Sequence, residues 1–146
     1  MSISFFEDKE GHTEFSEIRN KKFKNVKLFK TFFSGSTFWF KVILNESKTE
    51  LEENLFLTLE KPTIDHITFF RHKEGKWLKT ITGGSKPFHS REIENRNFVF
   101  KLKRINKKQT YFIKVKSFSS LLFPIYISTK NELDKNKNRE LRNRFN

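Results

Sequence analysis

Histidines and their neighbours are the residues of this chain that could do chemistry by type. His66 and His72 lie six positions apart with Asp65 before the first, and His89 precedes Ser90, so parts of a two-histidine metal site or of a hydrolytic triad are present. Strand residues six apart lie about 20 Å from each other, too far to share an ion. The chain has no HExxH motif, no nucleophile elbow and no cysteine, so we expect no enzymatic activity, metal or cofactor.

A tryptophan is placed where it could bind a sugar. Phe38, Phe40 and Val42 alternate with Trp39 and Lys41, which is the period of a strand. If the phenylalanines face a core, Trp39 lies on the other face and offers a flat apolar platform to a sugar ring or a protein partner. The alternative is that a loop or the segment from Phe23 to Phe33 covers this face.

A polar, irregular segment, Phe88 to Asn97, separates two predicted strands. Its Arg91 and Arg96 carry planar guanidinium groups that can bind a carboxylate or sugar hydroxyls through two parallel hydrogen bonds. The same groups could instead tie down the loop through Asp65 or Glu94. Both interpretations remain open on the sequence alone.

The elements that must position these residues are strands. Alternating apolar and polar residues recur in segments that begin near Phe38, Leu55, Phe98, Tyr111 and Phe123. Two further strand segments, bounded by turn signals, begin near Ile64, where Ile, Thr and Phe are frequent, and near Trp77. One such sheet alone would leave a phenylalanine-rich face in water. The pattern therefore predicts an all-β fold, a sandwich of two antiparallel sheets.

Composition limits the size and the partners of this fold. The chain has 146 residues, 35% of them hydrophobic, which is enough for one domain with a core. Its formal net charge of +13 would suit an anionic polymer. However, the cations are spread along almost every segment, and no RNP motif or GXXG loop is present, so nucleic acid is not favoured. The beginning of the chain does not resemble a signal peptide, and no apolar run is long enough for a membrane helix.

These patterns divide the chain into three parts. Residues 1–22 have mixed charge and no sustained period, so we expect a loosely held lead-in. Residues 23–130 are the predicted sandwich. Residues 131–146 form a basic polar tail, with Leu133 and Leu141 as its only aliphatic residues, and are expected to be solvated and weakly helical or disordered.

An ordered series of segments resembles a known family, the type-2 extracellular domain of bacterial seven-transmembrane receptors with diverse intracellular signalling modules (7TMR-DISM). The segments that carry the resemblance are Phe38–Val42, Pro62–Ile67, Trp77, Pro87–Arg91, Asn97–Leu102, Tyr111–Ser117 and Phe123–Ile125. They span about residues 25 to 130. By position, the residues that correspond to the family pattern are Trp39, Asp65, Arg91 and Arg96.

The resemblance implies a jelly-roll sandwich similar to carbohydrate-binding modules. It also implies a periplasmic sensor that is part of an inner-membrane receptor, with membrane and cytoplasmic signalling modules as its partners. Under this hypothesis the domain is not an enzyme, and its ligand is a carbohydrate or another small polar molecule. The expected ligand contacts are Trp39 as the platform, Trp77 or Phe88 as a second wall, and Asp65, His89, Arg91 and Arg96 as hydrogen-bond partners.

Two other hypotheses belong to different classes. The first is a basic binding module for anionic polymers, which include nucleic acid, acidic polysaccharide and lipid headgroups; its affinity would fall steeply with salt. The second is a sandwich that serves as an interaction or homodimer surface, which a large exposed apolar patch would favour.

Overall fold

The structure is a computed structural model that describes the backbone of residues 2–25, 29–30, 37–48, 51–117 and 122–145. Side chains are described for the same residues except 29, 30, 122 and 139–145. The strands are β1 (Ser2–Asp8), β2 (Lys24–Asn25), β3 (Phe29–Lys30), β4 (Thr37–Leu44), β5 (Glu53–Leu59), β6 (His66–Lys73), β7 (Lys76–Thr82), β8 (Phe98–Arg104), β9 (Gln109–Lys116), β10 (Leu122–Phe123) and β11 (Ile125–Thr129). The α-helices are α1 (Phe15–Ile18) and α2 (Lys130–Phe145), and a 3-10 turn spans Phe88–Ser90.

The strands form two main antiparallel sheets. The large sheet has the order β2-β1-β4-β9-β6-β7 and the small sheet has the order β11-β5-β8, while β10 pairs with β3. The chain passes from one main sheet to the other between β4 and β5, β5 and β6, β7 and β8, β8 and β9, and, by way of β10, between β9 and β11. The prediction of a two-sheet antiparallel sandwich is therefore confirmed, and the sheets stay unclosed.

The core lies between the inner faces of the two sheets. The alternation in β4 places Phe38, Phe40, Val42 and Leu44 inside, as predicted. The rings of Phe69 in β6 and Phe100 in β8 stack with centroids 4.5 Å apart, and this contact joins the large sheet to the small one. Burial of this phenylalanine-rich face is the main stabilising contribution to the fold.

The lead-in is better ordered than the sequence indicated. All seven residues of β1 pair with β4, from Ser2 opposite Ile43 to Asp8 opposite Thr37, so the expectation of a loosely held segment is wrong for residues 2–8. The sequence does not predict β1 because burial alternates only weakly along this strand, and most of its side chains are half-buried. Residues 9–23, which we call the strap, then cross the outer face of the large sheet.

The basic tail forms a helix, which is one of the two alternatives expected for it, and one of its side chains is buried instead of solvated. α2 follows β11 directly, and the Thr129 hydroxyl accepts the backbone N–H of Glu132, which caps the first turn. Leu133 is buried against Phe56 and Val99 on the outer face of the small sheet. Among the described residues, no helix is both long enough and apolar enough to cross a membrane.

Candidate functional site

Trp39 lies on the predicted outer face of β4, but the expectation of an exposed platform is wrong. The side chain is 1% exposed and packs with Ile18 and Phe112. Phe15 of the strap stacks on Phe70 at 4.2 Å and on Trp39 at 6.4 Å between ring centroids. The alternative that another segment covers this face is thus the observed one. In the predicted covering segment Phe23 contributes, whereas residues 26–28 and 31–33 lie outside the described residues.

Trp77 belongs to the same aromatic cluster. Its ring lies 5.0 Å from Phe15 and 5.7 Å from Phe112 between centroids, and His72 packs edge-on against it at 5.1 Å. Trp77 is half-buried, and its contacts are with the strap and the large sheet. Phe88, the other expected wall, is 52% exposed and contacts Arg91 instead. The two rings therefore do not face each other across one site.

Arg91 organises its own loop. Its Nη1 donates to the backbone carbonyls of Asn95 at 3.1 Å, Arg96 at 2.6 Å and Asn97 at 3.4 Å. The guanidinium also lies over the Phe98 ring at 4.2 Å, and burial lowers the pKa of Arg91. These contacts correspond to the structural alternative, although the partners are backbone carbonyls and not the carboxylates of Asp65 or Glu94.

The remaining residues predicted to contact a ligand do not lie together either. Asp65 is half-buried, and its carboxylate accepts the Ser117 hydroxyl at 3.1 Å while its backbone carbonyl accepts the Ser85 hydroxyl at 2.6 Å. His89 and Arg96 are exposed on the connection from β7 to β8. The structure thus divides the seven predicted residues into a buried aromatic cluster, a tether at Asp65 and an exposed connection.

A cleft of about 540 Å³ opens on the side of the sandwich where the two sheets end. β7 is an edge strand of the large sheet and β8 an edge strand of the small one, and residues 83–97 connect them. The cleft contains residues from the end of β6, the β6–β7 turn, β8, the β8–β9 turn and the start of β9. We call it the open-side cleft, and its lining includes Glu52, Arg71, Lys73, Glu74, Lys101, Lys103, Lys107, Gln109 and Tyr111.

Two tight turns shape the mouth of this cleft. In the β6–β7 hairpin Lys73 pairs with Lys76 across Glu74 and Gly75, whose φ angles are +53° and +76°. Positive φ at both central residues is typical of a type I′ turn, whose twist matches that of the strands. The turn brings Lys73 and Glu74 to the same cleft as Lys107 of the β8–β9 turn.

Side chains cap the free edge of β8 inside the cleft. The Lys101 backbone N–H donates to Glu92 Oε2 at 2.7 Å, and the Lys101 carbonyl accepts Arg71 Nη1 at 3.2 Å. The Lys103 backbone N–H donates to the Tyr111 hydroxyl at 3.0 Å. These bonds satisfy backbone groups that would otherwise be open to pairing with another strand.

The cleft is electropositive and has a protonated phenol in its wall. It is lined by five cationic side chains and two carboxylates, with Lys103 paired to Glu52 at 2.9 Å. Burial raises the pKa of Tyr111, so its hydroxyl stays protonated at neutral pH and can donate a hydrogen bond into the cleft. The cleft can thus offer hydrogen-bond donors and positive charge to a small molecule.

Sequence reasoning did not assign Arg71, Lys101, Lys103 or Tyr111 to a site. They lie in the segments predicted as strands near Ile64, Phe98 and Tyr111, and the structure confirms those strands. The signal that could have identified them is their position at the ends of strands beside tight turns, but joining them requires knowing which strands are edges. Among the described residues, no group of three or more His, Asp or Glu side chains could hold a metal ion.

Comparison with known proteins matches most of the chain to a family. The sequence profile of the family described as 7TMR-DISM extracellular 2 matches residues 1–129, which includes β1 to β11 and ends immediately before α2. No curated protein matches the chain.

Proposed function

The chain belongs to the 7TMR-DISM extracellular 2 family, and on that premise we propose that it is a non-enzymatic domain that binds a carbohydrate or another small polar ligand in the open-side cleft. The family comprises extracellular sensor domains of 7TMR-DISM receptors. The proposed location is the periplasm, as part of an inner-membrane receptor. Ligand binding would favour one state of that receptor over another and so reach its membrane and cytoplasmic modules.

The observation that carries the proposal is the open-side cleft itself. Its volume of about 540 Å³ lies within the range of small-molecule sites, roughly 300 to 1,000 Å³. Its lining mixes apolar surface, such as that of the half-buried Ile105, with donors from Tyr111 and several lysines. Such a lining suits a ligand with both C–H surface and polar substituents.

Some residues predicted from sequence stay candidates for ligand contact beside the cleft. Phe88, His89 and Arg96 are exposed on the connection that also supplies Glu92 to Arg71. Trp39 and Arg91 already have structural partners, so substitution of either would test the fold instead of binding. Asp65 and Trp77 are candidates for ligand contact only at the margin of the cleft, because each side chain already has a partner elsewhere. Asp65 accepts a hydrogen bond from Ser117, and Trp77 packs on Phe112.

We test the proposal with the whole chain and a panel of neutral and acidic sugars, followed by backbone amide NMR. The expected result is saturable shifts that cluster at Lys101, Lys103 and Tyr111. The double variant Lys101→Ala/Lys107→Ala should lose at least about tenfold in affinity, because both side chains are exposed and have no ion pair among the described residues.

Lys79→Ala/Lys86→Ala is the matched control, since it removes the same charge from exposed positions outside the cleft. The control should bind like the parent chain. Equal losses in both double variants, together with a steep fall of affinity with salt, would instead support the basic module for anionic polymers. Shifts that cluster elsewhere, or no shift with any sugar, would overturn the cleft as the sensor site.

A further inference from the structure

A carboxylate from outside the lining of the open-side cleft binds two of its lining residues, Arg71 and Lys101. Arg71 and Glu92 form an ion pair, and their side chains are only 23% and 21% exposed. Arg71 also lies over the Phe69 ring at 4.8 Å and donates to the Lys101 carbonyl, so its guanidinium is fixed in orientation. Glu92 belongs to the β7–β8 connection and not to the strands that build the cleft.

The same carboxylate uses both of its oxygens. One oxygen accepts from Arg71 and the other accepts the Lys101 backbone N–H at 2.7 Å. A guanidinium and an N–H that converge on one planar carboxylate form a binding position for any oxyanion of similar size. The position is built from β6 and β8, so it persists when Glu92 leaves it.

The charge around this position exceeds what Glu92 neutralises. Lys73, Lys101 and Lys107 line the cleft, and none of their ammonium groups forms an ion pair within the part of the chain that the structure describes. The carboxylates of the lining are Glu52, which pairs with Lys103, and Glu74. A concave site with this excess raises the local concentration of small anions.

We infer that the ligand of the open-side cleft is a small molecule with an acidic group, a carboxylate or a phosphate, that takes the place of Glu92 at Arg71 and the Lys101 N–H. This inference rests on the proposed sensor function and specifies the ligand class for the same cleft. Glu92 then acts as an internal competitor that occupies the anion position until the ligand displaces it. The acidic group keeps both hydrogen bonds satisfied, and the uncovered Glu92 carboxylate moves into water.

Displacement of Glu92 can be transmitted to α2. The next residue, Ile93, packs against the cluster of Phe56, Val99 and Leu133, and Leu133 is the buried residue among the described side chains of α2. Ligand binding therefore changes the anchor of a side chain that holds α2 against the small sheet. Contiguous packing of this kind can carry coupling between a site and a distant element.

The test compares D-galacturonate with D-galactose by NMR titration, because the two sugars differ at one carboxylate, with inorganic phosphate as a third probe. Galacturonate or phosphate should bind at the cleft at least about tenfold more tightly than galactose. Whichever of the two binds more tightly identifies the acidic group as a carboxylate or a phosphate. Equal affinities for galactose and both anions would overturn the ligand class and leave the sensor proposal standing. No binding of any probe at the cleft would overturn both.

Variants separate the competitor role from general electrostatics. Glu92→Gln should raise the affinity for the acidic probe at least about fivefold, because it removes the occupant of the site, whereas Glu74→Gln makes the same charge change on the cleft rim and should raise it less than about twofold. Arg71→Met should abolish the preference for the acidic probe. Equal effects of the two glutamate variants, or weaker binding by Glu92→Gln, would overturn the competitor role. An unshifted Leu133 methyl signal at saturation would overturn the route to α2.

Discussion

Gly83 ends β7 in a conformation that other residues rarely adopt, and it does so in a crowded place. Its φ is +144°, and a Cβ built on it would lie 2.0 Å from the Asp65 carbonyl oxygen. That oxygen belongs to the backbone, so the overlap cannot be relieved by a change of rotamer. The glycine therefore lets the start of the β7–β8 connection dock against the beginning of β6.

We expect Gly83→Ala to lower the free energy of unfolding by more than about 2 kcal/mol, through both the steric overlap and the strained φ. Gly75→Ala is the control, because Gly75 has a φ of +76° but no heavy atom within 4 Å of a built Cβ. The control should lose only about 1 to 2 kcal/mol. Chemical denaturation of both variants measures the difference, and similar losses would contradict the close approach at Asp65.

Tyr111 gives the cleft wall a measurable dependence on pH. Burial raises the pKa of its phenol above the ordinary value of 10.0, so the folded chain holds this proton more tightly than the unfolded chain does. A raised pKa in the folded state stabilises the fold below the unfolded pKa and loses that contribution as pH rises through the folded value. The affected window therefore begins near pH 10 and extends upward.

Tyr111→Phe removes this titration together with the hydrogen bond from the Lys103 N–H. Near neutral pH the variant should be less stable by about 1 kcal/mol, since one hydrogen bond is lost. Above about pH 10 the parent chain should lose stability faster than the variant, so the difference between their free energies of unfolding becomes smaller. A gap that stays constant through this window would show that Tyr111 titrates normally. Lysines also titrate there, but their contribution is common to both proteins.

At the scale of elements, the strap explains why Trp39 and Phe112 are buried on the outer face of the large sheet. α1 has only four residues, too few to be stable alone. It is held by Ile18, which is fully buried, and by Phe15, which lies among Trp39, Phe70, Trp77 and Phe112. The Asp8 carboxylate fixes the entry to the strap by accepting the backbone N–H groups of Gly11 and Thr13.

Phe15→Ala should loosen the strap and expose Trp39. We expect a red shift of tryptophan emission and greater quenching by acrylamide, because the indole loses its cover while the inter-sheet core is unchanged. Glu17→Ala, an exposed substitution in the same helix, is the matched control and should leave both signals as they are. Unchanged quenching in Phe15→Ala would mean that the rest of the strap covers Trp39 without it.

The elements show how far sequence reasoning reaches. Period-two alternation within β4 assigned Phe38 and Phe40 to the core and Trp39 to the other face, because alternation is a local property. The cover over Trp39 comes from Phe15, twenty-four positions away along the chain. The same limit applies to the cleft, where Glu92 meets Arg71 across twenty-one positions. Such contacts depend on the order of the strands in the sheets and on the paths of the loops. No short sequence pattern reveals either of them.

At the scale of the whole molecule, the net charge of +13 opposes folding at low ionic strength. Compaction brings like charges together, and added salt screens their repulsion. Salt also weakens attractive ion pairs, but the pairs Lys103–Glu52, Arg104–Glu53 and Lys130–Asp134 join side chains that are 33% or more exposed. Exposed pairs contribute about 0 to 1 kcal/mol each, so loss of their attraction is the smaller effect.

The thermal midpoint should therefore rise when NaCl increases from about 0.01 M to about 0.15 M, as the screening length falls from about 30 Å to about 8 Å. We expect a rise of several degrees, because about 1 kcal/mol shifts the midpoint of a domain of this size by about 2 to 8 °C. Binding of galacturonate to the cleft should weaken over the same range, since its attraction to the lysines is screened while its bonds to Arg71 and the Lys101 N–H are retained. Opposite responses of stability and affinity to one variable separate the diffuse charge of the molecule from the localised charge of the site. A midpoint that falls with salt would show instead that attractive pairs, and not self-repulsion, dominate the electrostatics of the folded chain.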